Sequence, residues 1–226
     1  MNDYMIRFLY RTFVYGIALL TALPFHEFAH AWAANKMGDP TARWQGRMTL
    51  NPLKHLDPFG ALLMLFCGIG WAKPVPINPY NFKNPKKGMA LSALAGPLSN
   101  LFLAFVSAVC FKLLVIPAAF LGEGMLLDIT DSLRNIFYTM ISVNVGLAVF
   151  NLLPVPPLDG SRVLNLFLPQ QTYFAIMRYE RMIMIFMMFI IFSGMLDGPL
   201  SFVRSIVWQA LDFATGFIDI ILRAVF

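Results

Sequence analysis

The run from Met89 to Pro117 carries one charged side chain, Lys112, and the run from Met182 to Met195 carries none. In hydrocarbon every backbone N–H and C=O must be satisfied internally, and about 20 apolar residues reach across a bilayer as a helix. The apolar residues do not alternate as barrel strands do. The chain is therefore expected to be an all-α polytopic membrane protein. Composition agrees: 58% of the 226 residues are hydrophobic, 13% are charged, and the mean hydropathy is +0.67. A soluble domain is about one-quarter charged, so a cytosolic soluble enzyme is nearly excluded. The net charge of +5 is spread through loops, without a basic helix or an aromatic platform, so no nucleic-acid partner is expected.

The first helix is expected from Ile6 to Met37, interrupted by Pro24 and ended by Gly38 and Pro40. Arg7 and Arg11 before an apolar run resemble a signal peptide, but cleavage near Ala22 would remove most of the helix that carries the chemistry, so an uncleaved anchor is expected. The short apolar run Phe59 to Trp71 reads as re-entrant or interfacial, and the proline-rich stretch after it, with Val75 and Ile77, as an extended edge. Further spans are expected at Gly88–Ile116, Ser132–Leu153 and Tyr173–Met195. The last stretch, Leu200 to Phe226, either spans or lies at the interface. That gives about five to six membrane helices with a short re-entrant hairpin or loop, in one membrane-embedded domain over residues 1–226, with its core at about 6–168 and additional helices at about 172–226. Cys67 and Cys110 read as small hydrophobes, Met177–Met188 as an adaptable packing surface, and Arg178-Tyr-Glu-Arg181 as an interfacial anchor.

Lys and Arg in the loops Lys36–Lys54 and Lys73–Lys87 place those loops in the cytoplasm, and Ala118–Asp131, with Glu123 and Asp128 but neither Lys nor Arg, on the opposite face. Pro154–Gln171 then returns to the cytoplasmic side. Arg7 and Arg11 argue mildly against this orientation.

The chemistry centres on His26-Glu27-Phe28-Ala29-His30. Residues four apart on a helix share a face, so the two imidazoles can grip one metal ion, while Glu27 beside them can take a proton from an attacking water. Zinc is expected, because imidazole suits it and three protein ligands leave one position open. Chance packing of histidines is the bland alternative; two of the chain's three histidines plus a glutamate inside one apolar helix weigh against it. A third ligand is needed. His55 qualifies by type, but in a polar loop a solvated histidine is the commoner case. Asp159 is better placed, following a turn stiffened by Pro154, Pro156 and Pro157 on the face where His30 also lies; as a bland alternative it merely caps the next helix.

With these residues in place, the chain resembles the site-2 protease family of intramembrane zinc metalloproteases. That family pairs H-E-x-x-H with a distant N-x-x-P-x-x-x-x-D-G motif, which Asn151, Pro154, Asp159 and Gly160 fit in register; the resemblance covers roughly 22–166. Ala95-Gly-Pro-Leu-Ser-Asn100 and the proline-rich stretch are also similar. The resemblance implies that His26, His30 and Asp159 bind zinc, that Glu27 is general base and proton donor, and that Asn151 helps hold the tetrahedral intermediate or the substrate backbone. Asn100, which can serve as a bridge between helices, stays outside the catalytic set. The implied reaction is hydrolysis of a peptide bond in a transmembrane segment, with the partners being that substrate and the bilayer. An unwound substrate would add as a strand near Val75 and Ile77, with Pro24, Gly68 and Gly70 giving room for water and backbone. The implied location is a multi-pass position in the cell's inner membrane, with the site toward the cytoplasm. The chain has no room for the PDZ or CBS domains of larger relatives, so a compact member is expected. The alternative is a divalent-metal transporter, which the lack of mid-depth ionisable groups in the two central spans disfavours, or a metal-dependent non-proteolytic scaffold, which would not need Glu27.

Overall fold

Small side chains determine how the helices meet. A computed structural model describes residues 3–60, 72–120 and 124–225. Helix α1 (Asp3–Lys36) runs without a break through Pro24, and Val14, Ala18, Ala22, His26, His30 and Ala34 are all buried along it. These positions recur every four residues, so they form one stripe on one face. The stripe meets α4 (Pro85–Leu113), whose buried residues include Ala90, Ser92, Ala93, Gly96, Pro97, Asn100, Ala104 and Ala108. Alanine and glycine let two helix backbones approach closely, the usual packing solution where lipid removes any hydrophobic drive between helices. The large side chains point outward: Phe102, Phe186, Phe189 and Phe213 are exposed, as expected of a lipid-facing surface.

Helix α6 (Met125–Asn151) packs against both α1 and α4, and α10 (Asp197–Val225) packs against α4 and α6. Ala104, Ala108, Ile141, Val145, Val149, Leu200 and Leu211 close the core between α4, α6 and α10. Lys112, near the end of α4, pairs with Asp212 and Asp219 and fastens α10 at that end. Short helices fill the connections: α2 (Thr41–Trp44), α3 (Pro52–His55), α5 (Val115–Phe120), α7 (Asp159–Leu164), α8 (Gln170–Arg178) and α9 (Glu180–Phe192).

Among the described residues, α1, α4, α6 and α10 are long and apolar enough to cross a membrane. The span expected at Tyr173–Met195 is divided between α8 and α9 by a break at Tyr179, where Arg178, Glu180 and Arg181 cluster. The 13 residues of α9 reach only about 20 Å, short of the roughly 30 Å hydrocarbon core. The final stretch forms one continuous helix, α10, of spanning length. The expected re-entrant run, with Gly68 and Gly70, falls mainly on 61–71, outside the described residues.

The proline-rich stretch is extended, and its register is set from several sides. Ala72 forms an antiparallel bridge with Leu56, the Lys73 N–H donates to His55 O at 2.8 Å, and Arg47 Nη2 donates to the carbonyls of Lys73 and Pro74. Asp39 collects the far end: its carboxylate accepts from the backbone N–H groups of Thr41 and Asn78, the Thr41 hydroxyl and the Asn81 amide. The chain enters this junction through Gly38, whose φ of +109° favours glycine and whose absent Cβ leaves room for Asn81 O.

Candidate metal centre

His26 and His30 sit on the buried stripe of α1, and their ring orientations follow from acceptors that cannot donate. His30 Nδ1 lies 2.7 Å from Ser92 O, a carbonyl, so Nδ1 carries the proton. For His26 the argument runs through two amides: Asn144 Nδ2 donates to Met140 O, Asn100 Nδ2 donates to Asn144 Oδ1 at 2.8 Å, and His26 Nδ1 therefore donates to Asn100 Oδ1 at 2.6 Å. Both Nε2 atoms are left facing inward with their lone pairs.

Those atoms lie 2.9 Å apart, and Asp159 Oδ2 is 3.2 Å from each. Asp159 is the first residue of α7, which packs on α4. It is brought this close by Gly160, where a Cβ would lie 2.2 Å from Leu152 O. Three electron-pair donors this close form a ready-made ligand set for one cation. In a tetrahedral zinc site with bonds of 2.0–2.1 Å, neighbouring donors are about 3.3–3.4 Å apart, so the observed triangle fits a metal of that kind with modest opening. The donor set also fits, because imidazole and carboxylate are borderline-to-hard ligands.

Helix α4 closes the site from behind. A Cβ on Gly96 would lie 2.4 Å from His30 Nε2 and 2.6 Å from His26 Cε1, so only a glycine lets α4 lie against both rings. Glu27 is buried beside the histidines, with a carboxylate oxygen near enough to join them around one ion, and Oε2 accepts from the Val75 N–H at 2.9 Å. Pro74 and Pro76 have no N–H, so Val75 provides the single donor of that tripeptide. Its side chain packs on Ala31 and Ala42, which seats the extended segment against α1.

Two expected candidates stand differently. His55 is buried, not solvated: Nε2 bonds Thr49 O at 2.7 Å, and the ring belongs to the loop interior, not to the histidine pair. Asn151, at the end of α6, donates its amide to Leu147 O of its own helix at 3.0 Å. Sequence reasoning missed Asn144, Ser92 and Gly96, and gave Asn100 only its role as a bridge. An amide isolated between Val143 and Val145 in an apolar helix is the signal that could have found Asn144.

A helical fold with spans of membrane length, an H-E-x-x-H face and a third donor from a distant turn defines the class: a metalloprotease. Residues 124–194 match the model of peptidase family M50. YwhC of Bacillus subtilis, named as a candidate zinc metalloprotease, is 48% identical over 153 residues, 68% of this chain and 68% of that protein. Rip2 of Mycolicibacterium smegmatis, named likewise, is 32% identical over 162 residues, 68% of this chain and 56% of that protein. MJ0611 of Methanocaldococcus jannaschii, also so named, is 33% identical over 152 residues, 66% of this chain and 68% of that protein. No solved structure matches. The chain belongs to peptidase family M50.

Proposed function

We propose that this protein is an intramembrane zinc endopeptidase that cleaves a transmembrane segment of another membrane protein, with the site on the cytoplasmic side of the inner membrane. The observation that carries the reading is the triangle formed by His26 Nε2, His30 Nε2 and Asp159 Oδ2 beside the Glu27 carboxylate, inside helices of spanning length. His26, His30 and Asp159 would hold the metal. When bound, zinc supplies Lewis acidity, polarising the peptide carbonyl and favouring a hydroxide-like nucleophile near neutral pH.

The chain's own groups do the rest. Glu27 takes the proton of the attacking water and delivers it to the leaving amide nitrogen. Val75 N–H holds the Glu27 carboxylate in place, and Asn100 and Ser92 lock the imidazole tautomers, as outer partners of metal-bound histidines do. Asn151 donates one amide N–H to Leu147 O and keeps a second N–H for the developing oxyanion. An unwound substrate stretch adds beside Val75 and Ile77 through backbone groups that Glu27 and Arg47 leave free. The expected membrane hairpin before this segment is part of the same reading.

The test is zinc content and cleavage of a model transmembrane substrate for purified Glu27→Gln and Asp159→Ala proteins. Glu27→Gln should keep zinc and lose cleavage, and Asp159→Ala should lose zinc affinity. Undiminished cleavage by Glu27→Gln refutes the general base, and unchanged zinc affinity in Asp159→Ala refutes the third ligand.

A further inference from the structure

Residues 152–196 leave the bundle at the end of α6 and rejoin it at the start of α10, and helix directions fix the side on which each event occurs. Helices α1 and α4 are antiparallel, because His30 meets Ser92 while His26 meets Asn100. Helices α4 and α6 are antiparallel too: Asn100 bonds Asn144, and Phe111 faces Tyr138 with ring centroids 6.1 Å apart. Helix α10 in turn opposes α6. Leu200 joins the core cluster that holds Val149, Arg204 lies over Gly146, and the Trp208 ring stands 5.6 Å from that of Tyr138. The start of α10 therefore lies on the side where α6 ends. The first turn of α4 shares that side, and Lys86 in it donates to Leu168 O at 2.7 Å, just before α8.

Between these two fixed points lie α8 and α9, and α9 is apolar without protein cover. No charged residue occurs from Met182 to Leu196. Met182, Ile185, Phe186, Phe189 and Phe192 are each at least 63% exposed, and α9 buries no residue. Only a narrow stripe, Ile183, Met187 and Ile190, is half-buried. Charged groups bracket the helix: Arg178, Glu180 and Arg181 at its start and the exposed Asp197 beyond its end. An apolar surface of this extent is costly in water and ordinary in lipid, as is that of α10, where Phe202 and Phe213 are exposed.

We infer that α8 and α9 form an arm embedded in the acyl chains of the cytoplasmic leaflet, and that this arm does not cross the membrane. A crossing would deliver α10 to the opposite face and reverse its direction against α6. The chain thus crosses four times, through α1, α4, α6 and α10, with both ends on the extracytoplasmic face. The leaflet is assigned by Lys36, Lys54, Lys73, Lys83 and Lys87, which lie between the end of α1 and the start of α4 on the side to which the arm returns. The arm follows the helix that begins with Asp159, so its lipid contact adjoins the candidate metal centre. The inference rests on helix direction and exposure and stands apart from the proteolytic reading.

The test uses full-length protein in which Cys67 and Cys110 are replaced by Ser and one cysteine is introduced at a time. Tyr4→Cys and Ala224→Cys should both react with a membrane-impermeant maleimide added outside intact spheroplasts, and Lys83→Cys only after permeabilisation. If Ala224→Cys needs permeabilisation while Tyr4→Cys does not, residues 173–195 cross and the inference falls. Reaction of Lys83→Cys in intact spheroplasts overturns the cytoplasmic placement. In nanodiscs, nitroxides at Met182, Phe186, Phe189 and Phe192 should be relaxed more by oxygen than by a nickel chelate, at depths within about 15 Å, half of the hydrocarbon core. Labels beyond the midplane overturn the inference. So does shielding from both relaxants, which with two copies per disc alone would assign the face to a second copy of the chain.

Discussion

His26 Nδ1 and Asn100 Oδ1 are 2.6 Å apart, and that contact joins the histidine face of α1 to an amide chain that ends on the backbone of α6. Asn100 and Asn144 are fully buried, so each lost bond leaves a polar group without water. The chain fixes both the tautomer and the tilt of the first imidazole.

Replacing Asn100 with Leu should therefore weaken zinc binding by about 10–100-fold, the usual cost of losing an outer-sphere partner. Asn144→Leu should have a smaller effect, because it acts one bond further out. Competition with a chromophoric chelator checks both, and equal affinities for wild type and Asn100→Leu would refute the relay.

Val75→Pro removes the N–H that holds Glu27 while keeping an extended backbone. A hydrogen bond to a charged group is worth about 1.5–3 kcal/mol, so cleavage should fall roughly 10–100-fold at unchanged zinc content. Val75→Ala keeps the donor and should retain most activity. A Pro variant as active as the wild type would show that Glu27 needs no such support.

Gly96→Ala places a methyl group against both imidazoles, where there is no room for it. Its zinc occupancy should collapse while helicity by circular dichroism persists, because the remaining α1–α4 seam is unchanged. Normal zinc stoichiometry in this variant would mean that α4 can back away from the histidines.

Asp39 predicts an acid-sensitive junction. Burial pushes its carboxyl up, but bonds from Thr41, Asn81 and Asn78 outweigh it and hold the group below its ordinary 3.8. A carboxylate with a depressed folded value contributes its stability above the unfolded value, and that contribution is lost as pH falls through the folded one. Asp39→Asn should cost about 1–3 kcal/mol near neutral pH, and the gap from wild type should close only below pH 3.8. Thermal melts in detergent across pH test this, and a gap independent of pH would remove Asp39 as the titrating group.

Much of the helical plan was legible because helix periodicity is local. His26 and His30 share a face whatever the rest of the chain does, and the alanines at 18, 22 and 34 continue that face. Helix limits shifted by a few residues, and Tyr173–Met195 divided because hydropathy averages over a charged break that the backbone responds to individually.

Sequence alone determined that this chain builds apolar helices of membrane length and that one of them carries two imidazoles and a carboxylate on neighbouring positions. Those properties depend on residue type and on spacing within a few turns. Only the tertiary structure decided that Asp159 lies beside the imidazoles while His55 lies elsewhere, that the Asn151 amide rests on its own helix, and that Val75 meets Glu27. These contacts join residues far apart in the chain. They exist because Gly96 and Gly160 let α4 and α7 approach closely enough for short side chains to touch, and a sequence pattern does not state that distance.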